Sequence, residues 1–302
     1  MLPSKLVFIV SAPRSGSTWL QLLLSQHDAV VSCQETHLFS SYLASVFNSH
    51  EHYAGNERGV GLSNILPNED ILALARDFAA AALAKVAAHQ PGARVLVEKT
   101  PAHIRMHRAI LSIFPDAYFI ELVRDPRAVV ASLRAVDFGN WTAPGILANV
   151  ERWRAAVLNG QALATATRRH IRVRYEDLLQ DGVATLGKIW AAIGEPCTPD
   201  DLRRWLEATR FDALKARDHV QLRAPWDMQR EPRNFYRNGR PEGWKGELTR
   251  RQIAIIEAAA APLMPALGYA RIARDPLINW RARLYDGLAR MQANLGWYRA
   301  RL

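Results

Sequence analysis

Four times this chain runs from a short β-branched stretch directly into a turn and then into helix-forming sequence. The stretches are "KLVFIVS" (Lys5–Ser11), "RVLVEKTP" (Arg94–Pro101), "AYFIELVRDP" (Ala117–Pro126) and "RHIRVRYEDLL" (Arg169–Leu179). Short apolar runs without long alternation suit strands buried on both faces. Pro101 and Pro126 stand where helices begin, because a missing N–H costs nothing at the first helical position, and Asp125 precedes Pro126 as N-cap. "AVVS" (Ala29–Ser32) reads as a further strand. Strands alternating with helices predict an α/β fold: a doubly wound parallel sheet flanked by helices, with ligands at the carboxyl ends of the strands.

The first of these turns carries chemistry. In "SAPRSGSTWLQ" (Ser11–Gln21), Gly16 and Thr18 occupy the glycine and hydroxyl places of the phosphate loop G-x-x-x-x-G-K-[ST]. Ser17 replaces its lysine, and the cation lies earlier, at Arg14. Residues Ser15, Gly16, Ser17, Thr18 and Trp19 supply consecutive N–H groups at a helix N-terminus, which bind an anion. In nucleoside-triphosphate hydrolases the lysine reaches the outer phosphates and a distant Asp holds magnesium. Here the strand that would donate this acid ends in "LVRDP", with Arg124 at its tip. A cation in place of a metal-holding acid points to a second anionic group bound by side chains, without a metal. The fold is P-loop-like.

At 302 residues the chain reads as a single domain, with a nucleotide-binding α/β core over 1–180 and a mostly helical part over 181–302. A net charge of +10, from 39 Lys+Arg against 29 Asp+Glu, favours an anionic ligand. No Lys/Arg run is interleaved with aromatics, which argues against nucleic acid as that partner. Two cysteines, Cys33 and Cys197, cannot build a disulfide framework; with an N-terminal apolar run too short for a signal peptide, they point to the cytoplasm. No apolar run is long enough for stable membrane insertion. Residues 49–68 read as a mobile loop, an Ala-rich helix runs from about Asp70 to His89, and 215–246 reads as a lid. Near the C-terminus, Trp280, Leu284, Leu288, Met291, Leu295 and Tyr298 recur at helical spacing; this amphipathic helix packs on the domain or forms a homodimer seam or a membrane-surface contact.

Taken together, "APRSGSTWL", "LVRDPRAVVASL" and "RNGRPEGWKGELT" resemble the PAPS-dependent sulfotransferases, closest in style to the bacterial and tyrosylprotein types. PAPS is 3′-phosphoadenosine 5′-phosphosulfate, and PAP is what remains after the sulfonate leaves. The resemblance implies that Arg14 and the loop hold the 5′-phosphosulfate. It also implies that Arg124 and Ser132 hold the 3′-phosphate, that Tyr175 in "VRYEDLL" lies near the adenine, and that Arg237 and Gly239 belong to a segment closing over the nucleotide. The third motif has Asn238 where the family often has lysine. PAPS carries no γ-phosphate, which accounts for a loop without its lysine.

Moving a sulfonate to a hydroxyl requires a base for the hydroxyl proton. Glu35, in "SCQETHLF", matches a glutamate base of the family, and Lys99, in "EKTP", resembles a lysine that stabilises the sulfonate and its leaving oxygen. His37 and His103 are the other base candidates, and an ion pair with the neighbouring Glu98 is the plain alternative for Lys99. The resemblance therefore implies a hydroxyl-bearing acceptor: a small molecule, carbohydrate or peptide tyrosine. A P-loop kinase for a small metabolite, requiring ATP and magnesium, and a non-catalytic nucleotide binder are the competing readings.

Overall fold

The computed structural model describes residues 1–56, 58–136, 145–216 and 239–273. Five strands form one parallel sheet: β1 (Lys5–Ser11), β2 (Val30–Ser32), β3 (Val95–Lys99), β4 (Tyr118–Val123) and β5 (His170–Arg174). Their spatial order is β2-β3-β1-β4-β5. The winding reverses at β1, so the crevice at its carboxyl end is the switch point where such sheets bind ligands. This is the doubly wound α/β fold that the strand–turn–helix repeats predict.

The helices among the described residues are α1 (Ser17–Leu24), α2 (Ala44–Tyr53), α3 (Asn68–Ala87), α4 (His107–Ile113), α5 (Pro126–Arg134), α6 (Ile146–Ala166), α7 (Tyr175–Gln180), α8 (Gly182–Ile193), α9 (Pro199–Ala208), α10 (Phe211–Ala216) and α11 (Arg250–Ala260). The chain divides into two compact units, Met1–Val123 with Leu158–Tyr236 and Arg124–Val157 with Arg237–Leu302. The first contains the whole sheet.

Within that first unit, alternation along each strand sends side chains to two different cores. Val7, Ile9, Val95, Val97, Ile120, Leu122 and Val173 pack with Leu20, Leu23 and Leu24 of α1 and with Ile189 and Trp190 of α8. On the other face, Phe8 stacks on Phe119 with centroids 5.6 Å apart and meets Phe39 edge-on at 5.8 Å. β3 obeys the same period of two, so Glu98 shares the face of Phe8, its register partner, while Lys99 goes to the opposite side. In the second unit, α5 buries Val129, Val130 and Leu133, and α11 buries Ile253 and Ile256.

Two local expectations change. The stretch 49–68 begins inside α2, none of whose side chains is buried, so no apolar stripe announces this helix in the sequence. Beyond α2 the chain makes a turn braced by amides: Asn56 Nδ2 and Asn64 Nδ2 both donate to the Val60 carbonyl at 2.7 Å. Pro101 opens a 3₁₀ turn, Pro101–Met106, before α4 begins. Residues 137–144 and most of 215–246, with Arg237, lie outside the described residues, as does the amphipathic stretch from Trp280 onward. Among the described residues, no helix is long and apolar enough to cross a membrane.

Candidate active site

β1 passes into the loop through Ala12 and Pro13, and the chain then turns twice through the left-handed region. Arg14 has φ 68° and Gly16 has φ 99°. A left-handed arginine is strained, and such strain persists where the surroundings impose it, commonly at functional loops. The first α-helical bond of α1 is donated by the Leu20 N–H to the Gly16 carbonyl at 3.1 Å. The N–H groups of Ser17, Thr18 and Trp19 therefore lie ahead of the helical ladder, where a helix presents its positive end. The Ser15 hydroxyl is fully buried and has no hydrogen-bond partner among the described residues. A buried hydroxyl without a described partner beside leftover helix donors is a donor set that fits an anion.

Tyr175, the first residue of α7, props this loop. Its ring meets the Trp19 indole edge-on at 5.6 Å, and the Trp19 Nε1–H donates to the Thr209 carbonyl at 3.0 Å. A Cβ built on Gly16 would come within 2.5 Å of Tyr175 Cδ2. Gly16→Ala therefore combines a disfavoured φ with a ring that must move. We expect it to destabilise the protein by about 2–3 kcal/mol in denaturant unfolding, and to weaken anion binding at the loop. A stability equal to that of the parent would show that the turn relaxes freely.

The loop after β2 carries Glu35. It is anchored by the buried Gln21 of α1, whose Nε2 donates to Ser32 Oγ at 2.7 Å and to the Cys33 carbonyl, while Ser32 Oγ donates to the Val97 carbonyl at 2.8 Å. Lys99 Nζ, on a side chain wholly out of solvent, lies 2.5 Å from Glu35 Oε1. The Glu35 side chain is 30% exposed, so a substrate can approach it, and its Oε2 lies 3.5 Å from His37 Nε2. The two residues singled out separately in the sequence thus form one ion pair. The alternative pairing of Lys99 with Glu98 does not occur, because consecutive strand residues face opposite ways. β2, β3 and β1 are adjacent and parallel, so the Glu35 loop, the Lys99 tip and the Arg14–Trp19 turn leave the sheet at one edge.

His103 stands apart from this pair. It is fully buried; its Nε2 accepts the Phe39 N–H at 3.1 Å and its Nδ1–H is donated to Glu98 Oε2 at 2.9 Å. Both ring nitrogens are thus engaged, and neither is free to take a substrate proton. Glu98 is the residue that sequence reasoning undervalued. Burial alone raises its carboxyl, but His103 together with the Thr100 and Thr36 hydroxyls outweighs burial and holds it down to about 2. Its only sequence signal is an acid inside an otherwise apolar strand.

The second unit holds the remaining candidates. Arg124 follows β4 directly, and its Nη2 donates to the Arg240 carbonyl at 3.4 Å. Trp153 Nε1–H donates to the carbonyl of Arg124 at 2.9 Å, fixing its backbone. Asp125 does cap α5, accepting the Arg127 N–H at 2.8 Å, and its carboxylate pairs with the Arg127 guanidinium at 2.6 Å. Arg127 also pairs with buried Glu257 at 2.6 Å and lies over the Trp244 ring at 4.2 Å. Ser132 lies in α5, two turns on, and Gly239 has φ 59°.

A model of the sulfotransferase family matches residues 7–200. The nodulation protein NoeE of Sinorhizobium fredii is 27% identical over 284 residues, which is 87% of this chain and 65% of that protein. A protein-tyrosine sulfotransferase of Drosophila melanogaster is 27% identical over 184 residues, which is 58% of this chain and 35% of that protein. This chain thus spans less than two thirds of the length of either relative. Among solved structures, a mouse sulfotransferase complexed with PAP aligns with a TM-score of 0.55 at 15% identity, over 93% of this chain and 89% of that one. This last likeness is one of fold.

Proposed function

This chain belongs to the sulfotransferase family, and we propose that it moves the sulfonate of PAPS to a hydroxyl of a small-molecule, carbohydrate or peptide-tyrosine acceptor, releasing PAP. The observation that carries the reading is the Glu35–Lys99 pair, 2.5 Å apart, at the same sheet edge as a loop with a buried, unpartnered Ser15 hydroxyl. The loop fits a phosphosulfate: the Ser15 hydroxyl and the N–H groups of Ser17, Thr18 and Trp19 take its anionic oxygens, and Arg14 supplies positive charge where the bridging oxygen becomes a phosphate oxygen. The acceptor oxygen attacks sulfur in line as the sulfur–oxygen bond to the nucleotide breaks. Glu35 takes the hydroxyl proton, and Lys99, whose ammonium holds that carboxylate in place, stabilises the sulfonate and its leaving oxygen as the motif it resembles implies. The absence of the loop lysine and the cation at the end of β4 favour this reading over a magnesium-dependent kinase. Neither Cys33 nor Cys197 is in a disulfide among the described residues, which suits the cytoplasm as compartment.

Thermal stabilisation by PAP and by ATP with magnesium separates the two readings. PAP gives the larger shift, and label passes from PAPS to a member of an acceptor panel. A larger shift with ATP and magnesium would overturn the proposal.

Arg124 and Ser132 take the 3′-phosphate, on the strength of the motif they resemble. Arg124→Ala weakens PAP by about 2 kcal/mol, near thirtyfold, and leaves AMP nearly unchanged. Ser132→Ala acts in the same direction and more mildly. Equal weakening of nucleotides with and without the 3′-phosphate would assign Arg124 a purely structural role.

A further inference from the structure

We propose that Glu98 is a positioning residue for Glu35, gripping the adjacent Thr36 so that the base is held against Lys99; this inference rests on the assignment of Glu35 as the base. Glu98 and Lys99 are consecutive in β3, and Thr36 and Glu35 are consecutive in the loop after β2. Glu98 Oε1 accepts the Thr36 hydroxyl at 2.7 Å and the Thr36 N–H at 3.3 Å, while Lys99 donates to Glu35 at 2.5 Å. Two neighbouring strand residues thus hold two neighbouring loop residues from opposite faces of one strand. A single attachment leaves a peptide free to rotate about it. Two attachments fix its direction, and with it the direction of the Glu35 carboxylate.

The groups around Glu98 extend the grip along the loop. Thr100 donates its hydroxyl to Glu98 Oε1 at 2.6 Å and accepts the His37 N–H at 3.3 Å. His103, oriented by Glu98, accepts the Phe39 N–H at 3.1 Å. Backbone donors at 36, 37 and 39 are therefore satisfied by one buried carboxylate and the two side chains that it orders. His37 between them has φ 51°, a conformation that persists only where its surroundings impose it. Thr36 adjoins the base in the loop while its own side chain goes to Glu98, which makes it the point of test.

Thr36→Val keeps the β-branched shape and removes the hydroxyl that Glu98 accepts. We expect kcat to fall about 10–10²-fold, because small displacements of a positioned group cost that much, with the KM for PAPS within about threefold. Thr36→Ser returns the hydroxyl and recovers most of the rate. In the double variant with Glu35→Gln, the rate is no lower than in Glu35→Gln alone, since a residue acting through Glu35 has nothing left to position. Thr100→Val provides the same readout if Thr36→Val does not fold. Losses that multiply in the double variant, or a Thr36→Ser variant as slow as Thr36→Val, overturn the positioning role while leaving the base assignment intact. Full kcat in Glu35→Gln alone overturns the base assignment itself.

Discussion

Replacing Glu35 by glutamine lowers kcat by about 10²–10⁴-fold and leaves PAP affinity within about threefold. Glutamine has the size of glutamate and can still accept a hydrogen bond from Lys99, but it cannot take the acceptor proton. Nucleotide affinity is spared because the loop that would hold the phosphosulfate is built from Arg14 to Trp19 and propped by Tyr175, without Glu35. The substitution also leaves the buried Lys99 ammonium facing a neutral amide, so a stability loss of about 1–2 kcal/mol accompanies it. Unfolding by denaturant measures that loss separately, and kinetics at a temperature well below the transition isolate the chemical defect. Near-parental kcat in a folded Glu35→Gln enzyme would end the assignment and direct attention to His37, 3.5 Å from the same carboxylate.

Lys99→Met lowers kcat/KM by about 10²–10³-fold, the usual cost of losing one oriented donor where charge develops. Methionine keeps the unbranched, buried shape of the lysine stem, so packing is little disturbed. The side chain is wholly out of solvent while Glu35 is 30% exposed, and the carboxylate left behind can therefore turn to water. Stability accordingly changes by no more than about 1 kcal/mol, because a buried ammonium contributes little net stabilisation after desolvation. The informative outcome is the dissociation of the two quantities. A parallel fall in stability and rate would make Lys99 a structural prop, whereas a lost rate in a protein of unaltered stability supports its role at the reacting centre.

Much of the architecture was legible because strand and helix boundaries are marked by hard local chemistry. Pro126 after Asp125 predicts the start of α5, and the cap hydrogen bond from the Arg127 N–H is present. β1 and β3 read correctly because their residues are buried on both faces and need no alternation. The α2 helix did not, since nothing in it is buried and its polar residues match a loop equally well. At the site, Glu35 and Lys99 were visible as residue types at strand ends. Their contact was not, because it depends on which way a five-residue strand faces, and a shift of one position exchanges Lys99 with Glu98. The Glu98 network was hidden for the same reason: a lone acid in an apolar run shows its role only when its partners at 36, 100 and 103 are brought to it.

The contact between Gly16 and Tyr175 ties the order of synthesis to the acquisition of affinity. The turn that would cradle the phosphosulfate is synthesised well before the ring it rests against, which opens α7, directly after β5, at the sheet edge. A nascent chain that has completed β1, β3 and β4 has most of its central sheet but lacks the surface that shapes the turn. On the proposed reading, nucleotide capture would be deferred until β5 docks, and retention on immobilised PAP would report chains in which β5 is in place.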